Sequence, residues 1–321
     1  MASNKTLEKR LMKSKPFCWL IRVLEGVIIP GFGGMTLLYL LRAYFKGVVK
    51  GALGSRASSI AYSFFMAIFP ALLFLLNLVP YIPIENFDIK FMLFIYDLIP
   101  AQSLDFFKPI IIDISQNERA GLASFAGLLA LFLTANGVNA IFSGFEGSHY
   151  NEISRSFFRQ YAVAVGTSII LALLLVTTIS VVIYFELLLS SLRERDFMSN
   201  DMDIALLSIG KNLFLIIMIY AVVATLYYFG TKEGRKSRFF SPGALMTTIL
   251  FMITTYLFGI YIDNFGTYNE LYGSIGALLI MMLYIWLNSN LILLGYELNA
   301  TLQKLRILQK NKYKSNNKHK L

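Results

Sequence analysis

Six long apolar segments constrain this chain more than any other feature of its sequence. They cover approximately residues 57–79, 122–142, 161–189, 204–229, 243–262 and 274–298. A transmembrane helix needs about 20 apolar residues to cross the hydrocarbon core of a bilayer, and each segment is long enough. Hydrophobic residues make up 56% of the chain and charged residues only 15%. The sequence therefore predicts an all-α polytopic membrane protein with six transmembrane helices.

The basic residues between these segments predict the orientation. If the N-terminus is cytoplasmic, 23 of the 29 Lys and Arg residues lie in cytoplasmic segments and five in outer segments. This distribution follows the positive-inside rule, so we expect a multi-pass protein of the bacterial inner (plasma) membrane with both termini in the cytoplasm. The net charge of +10 is then explained by topology rather than by nucleic acid. Membrane lipids are the expected partners, with anionic headgroups at the cytoplasmic face; the sequence identifies no protein partner.

Composition divides the chain into three regions. Residues 1–34 form a basic cytoplasmic N-terminal region, and residues 35–303 form the six-helix membrane domain with a preceding interfacial helix. Residues 304–321 form a basic cytoplasmic tail that is rich in Lys and Asn. Such a composition cannot bury enough apolar surface to fold alone, so we expect the tail to be disordered.

Two segments outside the spans predict interfacial amphipathic helices. Residues 35–50 carry a cation at every fourth position from Arg42 onward. An amphipathic helix in the headgroup region explains this pattern, and a helix packed against the bundle with its cations in solvent is the alternative. Residues 80–121 are apolar but are interrupted by Pro100 and Pro109, so each piece is too short to span the membrane.

The last span carries polar residues where only apolar ones are expected: Asn288, Asn290, Glu297 and Asn299. Burying such groups in hydrocarbon costs roughly 2 kcal/mol or more each unless they find partners. At 100° per residue, Asn290 and Glu297 share one side of the helix, and Asn288 and Asn299 share the opposite side. We therefore expect this helix to lie inside the bundle, where these residues either line a cavity or hold neighbouring helices together.

A similar polar stripe follows the second span, where Asn136, Asn139 and Ser143 lie on one helical face. We select Asn136 and Asn139, together with Asn288 and Asn290 of the last span, as candidates for lining a cavity. The alternative is that these amides form hydrogen bonds between helices and have no further role.

Charged residues are predicted to gather at the cytoplasmic boundary. Glu146 and Glu297 end the second and last spans, Arg56 precedes the first span, and Arg155 lies in the loop after the second. These four residues are candidates for a charge cluster or for the gate of a cavity, and simple solvation at the interface is the alternative. Glu186 and Lys211 lie at similar depths near the outer side and form a possible ion pair, unless Lys211 instead extends to the interface.

No pattern in the sequence predicts an enzyme. Cys18 is the only cysteine, and His149 and His319 are 170 positions apart. The chain has no nucleotide-binding glycine motif, no nucleophilic serine motif and no His-rich metal motif. We therefore expect no catalytic residues, no metal and no cofactor.

Several stretches of the chain resemble a known family of membrane proteins. They include SSIAYSFFMAIFPALLFLL in the first span, TANGVNAIFSGFEGSHYNEISRSFFRQ at the second, and YNELYGSIGA and LLGYELNA around the last. These motifs are similar to those of the YihY/BrkB family of bacterial inner-membrane proteins. The resemblance implies six helices with both termini inside, and no agreed activity. Some members of the family were once labelled ribonuclease BN, but nucleases of that name are rich in His and Asp ligands that this sequence lacks.

Three functional hypotheses follow from these observations. The first is a transporter- or translocator-like protein for a lipid or other amphipathic envelope component, because two helices carry polar stripes and charges gather at one boundary. The second is a membrane scaffold in envelope maintenance that transports nothing. The third, a membrane-embedded hydrolase, is the least favoured because no nucleophile, base or metal ligand set is present.

Overall fold

The computed structural model of the chain describes residues 25–26, 36–50, 52–78, 120–148, 156–194, 201–230, 239–264 and 274–318. Over these residues the protein is all-helical, as the sequence predicts. The seven helices are α1 (Leu37–Lys50), α2 (Leu53–Leu78), α3 (Ala120–Glu146), α4 (Phe157–Glu194), α5 (Asp201–Gly230), α6 (Pro242–Asn264) and α7 (Ser274–Lys318).

Five of these helices, α3 to α7, are long and apolar enough to cross a membrane within the described residues. The remaining predicted span, 57–79, corresponds to α2, which is 26 residues long. The side chains of α2 are described only as far as Ala71, so its apolar C-terminal part lies outside the residues on which the count of five rests. The membrane-protein fold class is therefore confirmed, and within the described residues five helices correspond to the six predicted spans.

The six long helices follow one another around a ring. α2 packs on α3, α3 on α4, α4 on α5, α5 on α6, α6 on α7, and α7 closes the ring on α2. α7 also contacts α1 and α3. Its two polar faces are thus bounded by neighbouring helices, as the positions of its polar residues predict.

The hydrophobic core is concentrated at the end of the ring where Arg56, Glu146 and Glu297 lie, which we call the charged end. Aromatic side chains fill it. The Phe145 ring stacks on Tyr296 with a centroid distance of 4.1 Å and an interplanar angle of 13°. Offset stacking of this kind adds to the stabilisation that burial alone provides. The charged end is the closely packed end of the molecule and the one that the sequence predicts to be cytoplasmic.

Helix α1 lies against the part of α7 beyond the charged end. Leu40 is buried against Leu302 and Leu305 of α7. The opposite face of α1 exposes apolar and basic side chains together: Tyr39, Arg42, Phe45, Lys46 and Val49. α1 therefore packs on the bundle with its cations exposed, and it also has the mixed apolar and basic surface that is typical of interfacial helices.

Helix α7 continues to Lys318, which differs from the disordered tail expected over 304–321. At 1.5 Å per residue, its 45 residues extend about 68 Å, more than twice the thickness of the hydrocarbon core. Leu302 and Leu305 continue the apolar stripe of α7 against α1, which stabilises the start of this extension. The expected outer helices of 80–121 lie outside the described residues, apart from the first two residues of α3.

Candidate functional site

A cavity of about 800 Å³ lies within the ring of helices. Helices α2, α4, α5, α6 and α7 contribute to its wall, which is mostly apolar. The lining includes Ile60, Phe64, Ile68, Leu175, Leu215, Met218, Ile219, Val222, Phe251, Met252, Ile285 and Ile292. The lining residues Leu175, Met252 and Tyr256 are each more than 40% exposed, so the cavity is not sealed from its surroundings.

The few polar side chains in the cavity wall are occupied mainly by local hydrogen bonds. The hydroxyls of Thr255 and Tyr284 lie 2.8 Å apart, and Ser289 Oγ donates to the Ile285 carbonyl at 2.7 Å. Asn288 Nδ2 donates to the Tyr284 carbonyl at 2.8 Å. Within the described part of the chain no hydrogen bond uses Asn288 Oδ1. The cavity thus offers an apolar molecule a large contact surface and an acceptor at Asn288.

Of the four asparagines selected from the sequence, Asn288 lines this cavity and the other three lie elsewhere. Asn290 Nδ2 donates to the Trp286 carbonyl of its own helix at 2.8 Å. Asn136 is exposed on α3. Asn139 belongs to a contact between α3 and α4 that does not border the cavity.

That contact is organised by Gln160 of α4, a residue that sequence reasoning missed. In one orientation of its amide, Nε2 donates to Asn139 Oδ1 at 3.1 Å and to Ser143 Oγ at 3.0 Å. In the reversed orientation, Nε2 donates to the two Glu146 carboxylate oxygens at 3.1 and 3.2 Å and the amide oxygen accepts from Ser143 Oγ. The buried amide of Gln160 on α4 therefore contacts the polar stripe of α3 from Asn139 to Glu146. A buried Gln near the start of an apolar span was the available signal.

The second polar site of interest is formed by Arg56 and Glu297 at the charged end. Arg56 Nη1 donates to the Gly144 carbonyl at 2.6 Å, close to the C-terminus of α3 where carbonyls lack partners within the helix. Arg56 Nε and Nη2 are buried and have no hydrogen-bond partner among the described residues. Glu297 is fully buried, and in the same set of residues neither carboxylate oxygen receives a hydrogen bond. The two charges interact electrostatically without being hydrogen-bonded to each other.

Tyr44 of α1 contributes to the enclosure of Glu297. Its hydroxyl donates to the Leu294 carbonyl at 3.3 Å. Burial, with a smaller contribution from the negative charge of Glu297, raises the pKa of Tyr44 to about 12. The hydroxyl therefore stays protonated at physiological pH and remains a donor to α7.

The structure brings together part of the predicted charge cluster. Arg56 and Glu297 interact, whereas Glu146 at the same end lies beside Gln160. Arg155 lies outside the described residues. The pairing of Glu186 with Lys211 stays a prediction, because the side chain of Glu186 also lies outside the described residues.

On the other side of α7, Asn299 holds the first turn of α6. The Gly243 N–H donates to Asn299 Oδ1 at 2.8 Å, and Asn299 Nδ2 donates to Ser241 Oγ at 3.0 Å. Ser241 also acts as the N-cap of α6, since its Oγ accepts from the Ala244 N–H at 3.3 Å. Pro242 occupies the first helical position, where proline is favoured because no N–H is required.

Further along this face, α6 and α7 approach closely at Gly243 and Gly295. A Cβ atom added to Gly295 would overlap Thr247 Oγ1, the Tyr227 hydroxyl and the Gly243 carbonyl oxygen. Tyr227 donates to the Ile292 carbonyl at 2.8 Å, and its hydroxyl lies 2.7 Å from Thr247 Oγ1. Small residues and polar side chains thus combine to join α5, α6 and α7, as is common between membrane helices.

Among the residues that the structure describes, no group of three or more His, Cys, Asp or Glu side chains could hold a metal ion. The site consists instead of an apolar cavity and, at the charged end of the molecule, a half-buried Arg56 that interacts with the fully buried Glu297. This arrangement is suited to binding and enclosing a molecule with an apolar portion, by burial of its apolar surface.

Comparison with known proteins connects this arrangement to other chains. A family profile described as Virulence factor BrkB matches residues 44–320. The chain is also 30% identical over 257 residues to a protein of Bacillus subtilis (strain 168) named "Putative ribonuclease-like protein YfkH". The matched region covers 79% of this chain and 91% of that protein. No solved structure matches the chain significantly.

Proposed function

The chain belongs to the virulence factor BrkB family and is an integral membrane protein, and from this premise we propose that it is a translocator for a lipid or other amphipathic envelope component. The observation that carries the proposal is the apolar cavity of about 800 Å³ lined by five of its helices. A cavity whose wall is almost entirely hydrocarbon favours an acyl or similar apolar chain over an ion or a sugar, because polar solutes lose hydration there without gaining hydrogen bonds.

The size of the cavity agrees with this class of substrate. A methylene group has about the volume of a water molecule, which is ~30 Å³. A cavity of about 800 Å³ therefore holds more than twenty such groups. This is enough for one long acyl chain with space to spare. At the charged end, Arg56 and Glu297 form the proposed gate of the cavity on the cytoplasmic side, whereas Glu146 contacts Gln160.

A direct test fills the cavity and measures flux. Ile219 lines the cavity, whereas Ile217 on the same helix is 54% exposed and does not. In liposomes carrying fluorescent phospholipids, a membrane-impermeant quencher reports how quickly lipids move between leaflets. We expect Ile219→Trp to reduce the protein-dependent rate at least about tenfold, because the indole occupies volume that the acyl chain needs and fitting both would overpack the cavity. Ile217→Trp should leave the rate unchanged. Equal rates for the wild type and Ile219→Trp would refute the proposal.

The proposed location is the bacterial inner membrane, with both termini in the cytoplasm and anionic lipid headgroups contacting α1. Its support is the asymmetry of basic residues. In a Cys18→Ala background, Ser315→Cys and Ser199→Cys place one thiol on each predicted side. In right-side-out vesicles, an impermeant maleimide should label Ser199→Cys, and it should label Ser315→Cys only after permeabilisation. The reverse pattern would contradict this orientation.

A scaffold without transport activity is the second candidate, and the polar contacts between helices favour it. Asn299, Thr247 and the Thr255–Tyr284 pair join α6 and α7 through hydrogen bonds. In a scaffold, Glu297→Gln should disturb assembly while no lipid flux exists to be lost. Lipid movement that depends on the purified protein and on an open cavity would rule this candidate out.

The proposal does not include enzymatic activity. The name of the Bacillus subtilis relative contains "ribonuclease-like", but the present chain lacks the cluster of His and Asp ligands that a metal-dependent nuclease requires. We expect the purified protein to leave RNA intact in the presence of Mg²⁺, Mn²⁺ or Zn²⁺. Cleavage that copurifies with the protein and stops on chelation would contradict this part of the proposal.

A further inference from the structure

The Arg56–Glu297 pair combines two sets of unused hydrogen-bonding groups of opposite charge. Among the described residues, Arg56 has a free donor edge, Nε and Nη2, because only Nη1 is engaged, by the Gly144 carbonyl. Glu297 has a free acceptor edge, because within the described residues both of its oxygens are buried without a donor. Buried charged groups are ordinarily paired and hydrogen-bonded. Here the donor and acceptor edges interact electrostatically across a separation instead.

These edges lie next to the cavity. Ile60 belongs both to the cavity wall and to the buried core of the charged end, and Arg56 precedes it by four residues on α2. On α7, Ile292 lines the cavity and Glu297 follows five residues later. At 1.5 Å per residue, both charged groups lie about 6–8 Å beyond the end of the cavity along their helices. This offset is comparable to the distance between the polar head of a lipid and the start of its acyl chain.

We propose that Arg56 and Glu297 bind the head group of an amphiphile whose apolar chain occupies the cavity, and that this head group is zwitterionic, with an anionic phosphate and a primary ammonium. The inference rests on the proposed function and adds the chemical class of the substrate. The phosphate accepts hydrogen bonds from Arg56 Nε and Nη2 in the planar geometry that guanidinium groups favour. The ammonium donates to the two Glu297 oxygens.

Other head groups fit this pair less well. A purely anionic head satisfies Arg56 but brings a negative charge to Glu297. A purely cationic head has the opposite fault, and an uncharged head gives a charge-assisted hydrogen bond to neither edge. Only a head with both charges compensates the two edges together.

Entry of the head requires a local displacement, because Glu297 is fully enclosed. Tyr44 of α1 is part of this enclosure and is held to α7 by one hydrogen bond of 3.3 Å. The turn before α2 contains Ala52 with a positive φ of 46°, a backbone conformation that is unfavourable for a residue with a Cβ. Helix α1 is thus a cover whose movement would expose the pair.

The test measures the binding of single-chain lipids to the purified full-length protein in detergent by native mass spectrometry. Three probes with the same acyl chain differ only in the head: lysophosphatidylethanolamine, lysophosphatidylglycerol and a monoacylglycerol. We expect the zwitterionic probe to bind about tenfold more tightly than the anionic one, the difference made by one charge-assisted contact. Water-soluble phosphoethanolamine, added as a competitor, distinguishes a lipid site from a site for the free head group, which would bind it equally well.

Variants assign the two contacts. Glu297→Gln should abolish the preference for the zwitterionic probe while retaining binding of the anionic one. Arg56→Gln should weaken both phosphate-containing probes by about tenfold. Glu146→Gln, at the same end but beside Gln160, is the matched control and should change neither. If Arg56→Gln does not fold, Arg56→Lys, which keeps the charge and loses the planar donor edge, should still weaken phosphate binding.

The outcomes separate this inference from the proposed function. If the probes bind, compete with one another and are excluded by Ile219→Trp, but show no preference for the head group in the wild type, the inference is overturned and the translocator proposal stands. If no probe binds the wild type, or if Ile219→Trp excludes none of them, the proposed function fails and this inference fails with it. A preference that survives Glu297→Gln also overturns the inference.

Discussion

The two polar faces of α7 differ in how their polar groups are satisfied. On the face toward α6, Asn299 uses both its oxygen and its nitrogen, and Tyr227 and Thr247 bond to each other and to the backbone of α7. On the face toward α1 and α2, Glu297 receives no hydrogen bond in the described structure, and Arg56 uses one of its three nitrogens. Near the charged end, this helix therefore carries a satisfied face at Asn299 and an unsatisfied face at Glu297.

This difference separates structural polar residues from functional ones. A buried polar group that is fully hydrogen-bonded stabilises one arrangement of the helices, and its removal leaves its partners unsatisfied. A buried charge without hydrogen bonds lowers the stability of the same arrangement, so stability does not explain its presence. By this criterion, the satisfied face holds α5, α6 and α7 together, and the unsatisfied face is the candidate for binding and gating.

The largest expected effect tests the satisfied face through Gly295. Gly295→Leu introduces a side chain where even a Cβ overlaps the backbone of α6, so we expect a loss of more than about 3 kcal/mol in unfolding free energy. Unfolding in mixed detergent micelles with increasing sodium dodecyl sulfate measures it. Gly259→Leu on α6 is the control, because a Cβ there has no atom within 4 Å. Equal stability of the two variants would mean that the close contact of α6 and α7 does not exist.

The second test removes one side chain from the same face. Asn299→Ala deprives the Gly243 N–H and Ser241 of their partner at the start of α6, and we expect a loss of about 2 kcal/mol, as for other buried caps. Asn290→Ala is the matched control on α7, because its described bond is to the carbonyl of its own helix. The same micelle titration should show a clearly smaller loss for Asn290→Ala. A larger loss for the control would reverse the assignment of the satisfied face.

Much of the fold could be predicted from the sequence, because hydropathy alone requires helices in a membrane protein. The helical periodicity of Asn288, Asn290, Glu297 and Asn299 also predicted two polar flanks on the last helix. It could not tell which flank was satisfied. That depends on Ser241 and on residues of other helices, whose contacts are set by packing rather than by local pattern.

The candidate cavity residues illustrate the same limit. Asn139 and Asn288 are equally polar positions in apolar spans, yet Asn139 contacts Gln160 and Asn288 borders the cavity. The cavity wall itself consists of ordinary apolar residues such as Ile219, which carry no signal in a single sequence. Arg56 and Glu297 were selected from their shared depth, and the structure adds that their hydrogen-bonding edges are free within the described part of the chain.

A third test addresses a contact of intermediate character, the seam between α3 and α4. Gln160→Leu removes the amide that contacts Asn139, Ser143 and Glu146. We expect a loss of about 1 kcal/mol, because those groups lie nearer the surface than Asn299's partners and can recover some hydration. Thr177→Leu on the exposed part of α4 is the control, and its stability should be unchanged. An unchanged unfolding free energy in Gln160→Leu would mean that the hydrogen bonds between α3 and α4 do not stabilise the fold.

The smallest expected change in stability, and the sharpest test of the comparison, is at Glu297. Glu297→Gln preserves the shape of the side chain and removes a buried charge that receives no hydrogen bond, so we expect the unfolding free energy to stay within about 1 kcal/mol of the wild type or to rise. Lipid translocation should nevertheless fall, because the gate has lost its charge. Since Glu146 lies beside Gln160, Glu146→Gln should show the opposite pattern, with lower stability and retained translocation. A large loss of stability in Glu297→Gln would mean that the carboxylate is a structural element after all, and the two faces of α7 would then no longer differ in kind.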